Sequence, residues 1–68
     1  MAFQTILYSV DEAIATIALN RPDKLNAMNN QLIAELDEAL IGAEADAQVR
    51  VIIIKGVGRA FSTGVDLT

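Results

Sequence analysis

Residues Val49–Lys55 read VRVIIIK and are followed at once by Gly56. The centre of this stretch, Val51–Ile54, consists of β-branched residues only. A continuous run of this kind, bounded by glycine, is typical of a parallel strand whose two faces are both buried. We therefore predict a buried parallel strand here, which requires a covering helix and a strand to pair with.

The residues before this strand predict the covering helix. Asn29 is a favourable N-cap, because its side chain can accept hydrogen bonds from the unpaired amides of the first turn. Apolar residues then recur at three- and four-residue spacing and form one face. They are Leu32, Leu36, Ala39, Leu40, Ala43 and Ala47. The opposite face is acidic, and we interpret it as a solvated surface, with a cation-binding surface as the minor alternative. Its residues are Glu35, Asp37, Glu38, Glu44 and Asp46.

Two strand-like segments precede the helix. Residues 3–10 mix β-branched and aromatic residues, and residues 13–19 resume the pattern after the polar pair Asp11-Glu12. Two strands separated by so short a break predict an antiparallel hairpin. Pro22 cannot donate to a sheet ladder and ends the second strand. Strand, helix and strand then form a right-handed βαβ unit, so the predicted fold class is α/β.

Composition excludes several classes of protein. The chain has 68 residues, a net charge of −4, five Lys and Arg residues, and no Cys or His. Nucleic-acid binding requires a basic patch, and a zinc site requires Cys or His ligands. The N-terminus lacks a signal-peptide pattern, and the longest apolar run is too short to cross a bilayer. We therefore expect a cytoplasmic protein with no metal and no nucleic-acid or membrane partner.

The size of the chain conflicts with its hydrophobicity. Hydrophobic residues make up 53% of the sequence, which is core-forming material. A chain this short buries a limited fraction of its surface and usually needs a staple or a partner. Residues 1–68 therefore form one domain at most, and the mismatch indicates either a partial, truncated domain or obligate assembly with a partner.

A loop rich in glycine follows the predicted strand; we call residues 56–68 the glycine loop. It leaves the carboxyl end of a parallel strand, where α/β proteins bind ligands. Its spacing fits neither the dinucleotide fingerprint nor the P-loop, and a Ser triad needs a His. Two interpretations remain. Gly56, Gly58 and Gly64 are ordinary turn residues, which composition alone favours, or small residues here let backbone N–H groups reach a developing oxyanion.

Two sequence strings resemble the crotonase (enoyl-CoA hydratase/isomerase) family. They are IALNRPDKLNAMN at Ile17–Asn29 and VRVIIIKGVGRAFSTGVDL at Val49–Leu67. The two strings occur in the same order, and at the same separation along the chain, as in that family. The resemblance implies the N-terminal part of a crotonase-like (ClpP/crotonase) fold, with a β-hairpin, a helix, a buried parallel strand and an oxyanion-hole loop. It also implies a lyase or isomerase of fatty acid metabolism that acts on acyl-CoA thioesters.

The same resemblance implies roles for individual residues. Val65 would give one backbone N–H of the oxyanion hole, and Gly64, which precedes it, would belong to the same catalytic loop. Other residues would line the CoA and acyl-thioester site: Lys24, Leu25, Ala27, Thr63, Asp66 and Leu67. For Lys24, a solvated loop position is an equally good interpretation.

In this family the second oxyanion donor and the acid/base carboxylates come from later segments. We therefore expect the 68-residue chain to be inactive alone, because one donor supplies only part of the required barrier reduction. The competing hypothesis is a non-catalytic truncated fragment or assembly module. No cofactor is expected besides the coenzyme A of the substrate, and the resemblance implies a homo-oligomeric parent protein, a trimer or a dimer of trimers.

Overall fold

A small sheet and one helix make up the fold. The computed structural model describes residues 3–58, 61, 62 and 64. In these residues the elements are β1 (Ile6–Asp11), β2 (Ile14–Leu19), a 3₁₀ helix (Pro22–Lys24), α1 (Asn30–Ala45) and β3 (Val51–Gly56). The strand order is β1-β2-β3, with β1 antiparallel to β2 and β2 parallel to β3. The predicted hairpin, helix and parallel strand are confirmed in that order.

The hairpin turn consists of Glu12 and Ala13, since Asp11 pairs directly with Ile14. Both turn residues have positive φ, 50° and 69°, as the tight primed turns of β-hairpins require. For residues other than glycine this conformation costs about 1–2 kcal/mol each. The carbonyl of Ala13 accepts the backbone N–H groups of Arg50 and Val51 at 2.8 and 3.3 Å. The turn is thereby attached to the start of β3.

Helix α1 begins as predicted. The side chain of Asn29 accepts the backbone N–H of Leu32 at 2.9 Å, which confirms the N-cap. Of the predicted apolar face, Leu32, Ala39 and Ala43 are buried in the helix. Ala47 lies two residues beyond Ala45, the last residue of α1, and is exposed, because the chain turns toward β3 there.

The core lies between α1 and one face of the sheet. It contains Ile6 of β1, Ile17 and Leu19 of β2, and Leu32 and Ala39 of α1, each at most 1% exposed. Half-buried side chains from the rest of the described chain pack around these five. They are Phe3, Tyr8, Met28, Leu36, Leu40 and Ile52. The core therefore joins the hairpin to the helix, and β3 contributes to it at its margin.

Strand β3 is more exposed than predicted. Val51, Ile53 and Ile54 are 51%, 44% and 39% exposed. The reason is that β3 lies at the edge of the described sheet, where it pairs with β2, and α1 packs on one face of that sheet. The parallel pairing is confirmed, but the prediction that both faces of β3 are buried is wrong for these residues.

Candidate functional site

Two connecting segments meet at the end of the sheet where β2 and β3 both finish. The first is residues 20–29, which we call the pre-helix turn, and the second is the described part of the glycine loop, residues 56–58, 61, 62 and 64. Leu19, the last residue of β2, pairs with Gly56, the last residue of β3. The backbone N–H of Val57 donates to the carbonyl of Leu19 at 2.8 Å. Because the two strands are parallel, both connections leave the sheet on the side where α/β proteins bind ligands.

The pre-helix turn has an unusual backbone. Leu25 and Asn26 have positive φ, 50° and 57°, and asparagine is among the residues that best tolerate this region. The N–H of Asn26 donates to the carbonyl of Arg21 at 2.8 Å, and the N–H of Ala27 donates to the carbonyl of Lys24 at 3.1 Å. The Arg21 guanidinium donates to the carbonyl of Ala27. These bonds fold the turn back on itself ahead of α1.

Asn26 joins this turn to the residues that follow β3. It is fully buried, with 0% exposure. Its side-chain oxygen accepts the backbone N–H of Arg21 at 2.8 Å, and its Nδ2 donates to the carbonyl of Val57 at 2.9 Å. A buried amide without such partners would be strongly destabilising. Asn26 therefore stabilises the contact between two connections that are far apart in sequence.

Ser62 and Gly64 extend the same contact. The Ser62 hydroxyl donates to the carbonyl of Asn26 at 2.8 Å and accepts the N–H of Gly64 at 3.1 Å. The backbone N–H of Met28 donates to the carbonyl of Gly64 at 2.7 Å. Gly64 has a φ of +104°, a conformation in which glycine is favoured. Both peptide groups of Gly64 are thus bonded, one to Ser62 and one to the pre-helix turn.

The structure brings together four of the residues predicted from the resemblance. Leu25 and Ala27 are half-buried in the pre-helix turn, and Lys24 is exposed at the end of the 3₁₀ helix. Gly64 is bonded to the same turn through Met28. The other predicted positions lie outside the described residues. They are Thr63, Val65, Asp66 and Leu67.

Asn26 was not predicted as a site residue, although Leu25 and Ala27 on either side of it were. Its partner Val57 is 31 positions away, so the contact cannot be predicted from the local periodicity of the sequence. The available signal was a second asparagine three residues before the N-cap, since asparagine favours turns and left-handed backbone. Ser62 is one of the small residues of the glycine loop, and its two hydrogen bonds were not predicted.

Glu35 corrects the interpretation of the acidic helix face. Its Oε1 accepts the N–H of Gln4 at 2.9 Å, the N–H of Thr5 at 2.8 Å and the Thr5 hydroxyl at 2.9 Å. Its Oε2 accepts from Gln31 Nε2 at 3.1 Å. Desolvation acts to raise the pKa of this carboxyl, but the hydrogen bonds from Thr5, Gln31 and Gln4 outweigh it and hold the pKa below its ordinary value. Glu35 is therefore a structural anchor for the N-terminal segment and not a solvated side chain.

Two further properties concern only the part of the chain that the structure describes. No three or more acidic side chains there are grouped so that they could hold a metal ion. No helix there combines the length and the apolar character needed to cross a bilayer.

Comparison with known proteins matches nearly the whole chain. Residues 9–68 match the family described as enoyl-CoA hydratase/isomerase. The probable enoyl-CoA hydratase EchA14 of Mycobacterium tuberculosis is 38% identical over 66 residues, which are 97% of this chain and 26% of that protein. The 1,2-epoxyphenylacetyl-CoA isomerase of Escherichia coli is 40% identical over 62 residues, which are 91% of this chain and 24% of that protein.

A solved structure gives the same result. The crystal structure of an enoyl-CoA hydratase/isomerase from Mycobacterium paratuberculosis matches with a TM-score of 0.95 and 48% identity, covering 97% of this chain and 26% of that one. The predicted fold class, the N-terminal part of a crotonase-like α/β fold, is confirmed. The chain spans about a quarter of the length of the proteins it matches.

Proposed function

Because this chain belongs to the enoyl-CoA hydratase/isomerase family, we propose that the pre-helix turn and the glycine loop form part of a binding site for acyl-CoA thioesters. Both segments lie within the matched residues 9–68. The reaction itself is proposed for a protein of the relatives' length, of which this chain is about a quarter. Its chemistry would be stabilisation of negative charge on the thioester oxygen.

The observation that carries the proposal is the 2.7 Å hydrogen bond from the Met28 N–H to the Gly64 carbonyl. This bond fixes the carbonyl of Gly64, the residue before Val65, against the pre-helix turn. We assign the backbone amide of Val65 as one oxyanion donor. A preorganised donor contributes about 2.7–4 kcal/mol to the lowering of a reaction barrier.

The pre-helix turn supplies the proposed contacts to coenzyme A. Lys24 is an exposed residue of this turn, and an ammonium group on a flexible stem suits the phosphates of coenzyme A. Leu25 and Ala27 would contact the rest of the CoA moiety, and Thr63, Asp66 and Leu67 would complete the acyl-thioester site. A second donor and an acid/base pair are still required for turnover, so the chain alone is expected to bind without catalysing.

Calorimetric titration of the chain with butyryl-CoA, a saturated thioester that cannot be hydrated, tests this assignment. We expect saturable binding that is lost when residues 64–68 are deleted. Lys24→Ala should weaken binding several-fold, with a smaller loss at high salt because charge attraction is screened. Arg50→Ala is the matched control, since it removes one positive charge from the opposite end of β3. No binding by the unaltered chain, or equal weakening by both substitutions, would contradict the assignment.

A second candidate, an assembly module without activity, is favoured by the exposure of Val51 and Ile53 on the edge strand. Exposed edge strands pair readily with other chains. Sedimentation equilibrium and an assay of crotonyl-CoA hydration separate the two candidates. Concentration-dependent oligomers that bind no butyryl-CoA would favour assembly, and a monomer that binds it would favour the ligand site.

A further inference from the structure

We propose that Asn26 and Ser62 are positioning residues that hold Val57 and Gly64 of the glycine loop in place for thioester binding. The inference rests on the proposed function, because it concerns how the same site is kept in place. Neither residue is assigned a contact with the ligand. Their effect would pass through Val57 and Gly64, to which they are bonded.

Asn26 makes two side-chain hydrogen bonds of opposite kind. Its buried side chain accepts from the Arg21 N–H and donates to the Val57 carbonyl. A primary amide carries an acceptor and a donor side by side, whereas a carboxylate carries acceptors alone. Aspartate at this position would keep the bond to Arg21 and place an oxygen against the carbonyl of Val57. The geometry therefore requires an amide rather than any polar group of the same size.

Ser62 belongs to a closed chain of hydrogen bonds. Ser62 donates to the carbonyl of Asn26 and accepts from Gly64, and the carbonyl of Gly64 accepts from Met28. Met28 is two residues after Asn26, so the chain of bonds returns to the turn where it began. Gly64 is held at both its N–H and its C=O by this arrangement.

This restraint matters because glycine is the most flexible residue. A free Gly64 would populate many backbone conformations, and ordering them on ligand binding would reduce affinity. A binding site gains when its groups are fixed before the ligand arrives. Loss of the Ser62 hydroxyl, which removes two hydrogen bonds, is expected to weaken thioester binding by about tenfold.

The test compares Ser62→Ala with Ser62→Thr, which keeps a hydroxyl. Without ligand, NMR hydrogen exchange at the amides of Gly64 and Met28 should rise about tenfold or more in Ser62→Ala. The amides of Thr5 and Leu32, which are bonded to side chains elsewhere, should be unchanged. Ser62→Thr should restore both the exchange rates and the affinity for butyryl-CoA. Unchanged exchange at Gly64 together with unchanged affinity would overturn the proposal.

Asn26→Asp gives an independent readout that a general loss of stability would not produce. At neutral pH the carboxylate cannot donate to Val57, and affinity should fall about tenfold. At acidic pH the protonated carboxyl regains a donor, so affinity should recover as pH falls through its pKa, while the unaltered chain shows no such recovery. Affinity that is equal to that of the unaltered chain at every pH would contradict the role of Asn26.

The two proposals can fail separately. If the unaltered chain binds no butyryl-CoA, the proposed function fails, and the exchange rates at Gly64 and Met28 still decide whether Ser62 holds the loop. If the unaltered chain binds and Ser62→Ala binds equally well, positioning by Ser62 is refuted and the thioester site stands.

Discussion

Replacement of Glu35 by glutamine tests how the N-terminal segment is held on α1. In the structure one carboxylate oxygen of Glu35 accepts three hydrogen bonds from Gln4 and Thr5, and the other accepts one from Gln31. Glutamine keeps a neutral acceptor in place of the first oxygen. Its NH₂ group replaces the second and faces the NH₂ group of Gln31, so that two donors oppose each other.

The expected loss in the free energy of unfolding follows from these hydrogen bonds. A hydrogen bond to a charged group contributes about 1.5–3 kcal/mol and one between neutral groups about 0.5–1.5 kcal/mol. Glu35 is only half-buried, so solvent screening reduces the benefit of its charge. We expect Glu35→Gln to lower the free energy of unfolding by about 1–2 kcal/mol. Glu38→Gln is the matched control, because Glu38 is exposed on the same helix and loses the same charge.

The contribution of Glu35 to the stability of the fold should decrease at acidic pH. The folded-state pKa of Glu35 lies below its ordinary value of 4.5, so the carboxylate stabilises the fold fully above that value. This stabilisation is lost as pH falls through the folded pKa. Urea unfolding followed by circular dichroism should show the loss in the unaltered chain and not in Glu35→Gln. Equal stability of the two at pH 7, or a Thr5 amide resonance that does not titrate below pH 4.5, would refute the reasoning.

Three further predictions concern single substitutions elsewhere in the chain. Gly42→Ala should raise the free energy of unfolding by about 0.8–1 kcal/mol, because a Cβ there meets nothing within 4 Å inside α1; a decrease in urea unfolding experiments would contradict this. Gly58→Ala should lower the free energy of unfolding more than Gly64→Ala does, and the difference should be about 1 kcal/mol or more. Both glycines have positive φ, but only at Gly58 would a Cβ lie 3.1 Å from Pro22. Equal unfolding midpoints of the two variants would contradict this. Ile53→Lys should reduce self-association at unchanged stability, because charge on an edge strand opposes pairing between chains; sedimentation equilibrium measures this, and unaltered association would show that another surface is responsible.

Local sequence patterns predicted the elements of this fold well. The N-cap at Asn29 and the hairpin depend on neighbouring residues; the N-cap is found where expected, and the hairpin turns at Glu12 and Ala13, one residue after the predicted break at Asp11-Glu12. The burial of β3 was predicted wrongly because a run of β-branched residues reports a preference for burial and not which surfaces are available. Val51 and Ile53 keep that preference while the described sheet ends at their strand.

Two side chains of structural importance could not be predicted in the same way. Asn26 and Glu35 are bonded to residues about thirty positions away, and no periodicity connects such pairs. Glu35 sits at a helical position that the spacing of apolar residues marks as polar, and only the approach of the N-terminal segment makes it an acceptor. The resemblance to a known family identified the region of Asn26, but the geometry was needed to find its role.

The parallel pairing of β2 with β3 has a consequence for the order in which the molecule forms. The hairpin closes through neighbouring residues and can form within microseconds, whereas β3 must close a long loop that contains α1 before it pairs. During synthesis on the ribosome, the pre-helix turn therefore emerges well before the strand that brings the glycine loop to it. A thioester bound between these two segments, as proposed, would favour the docked strand by mass action and would thereby assist the last step of folding.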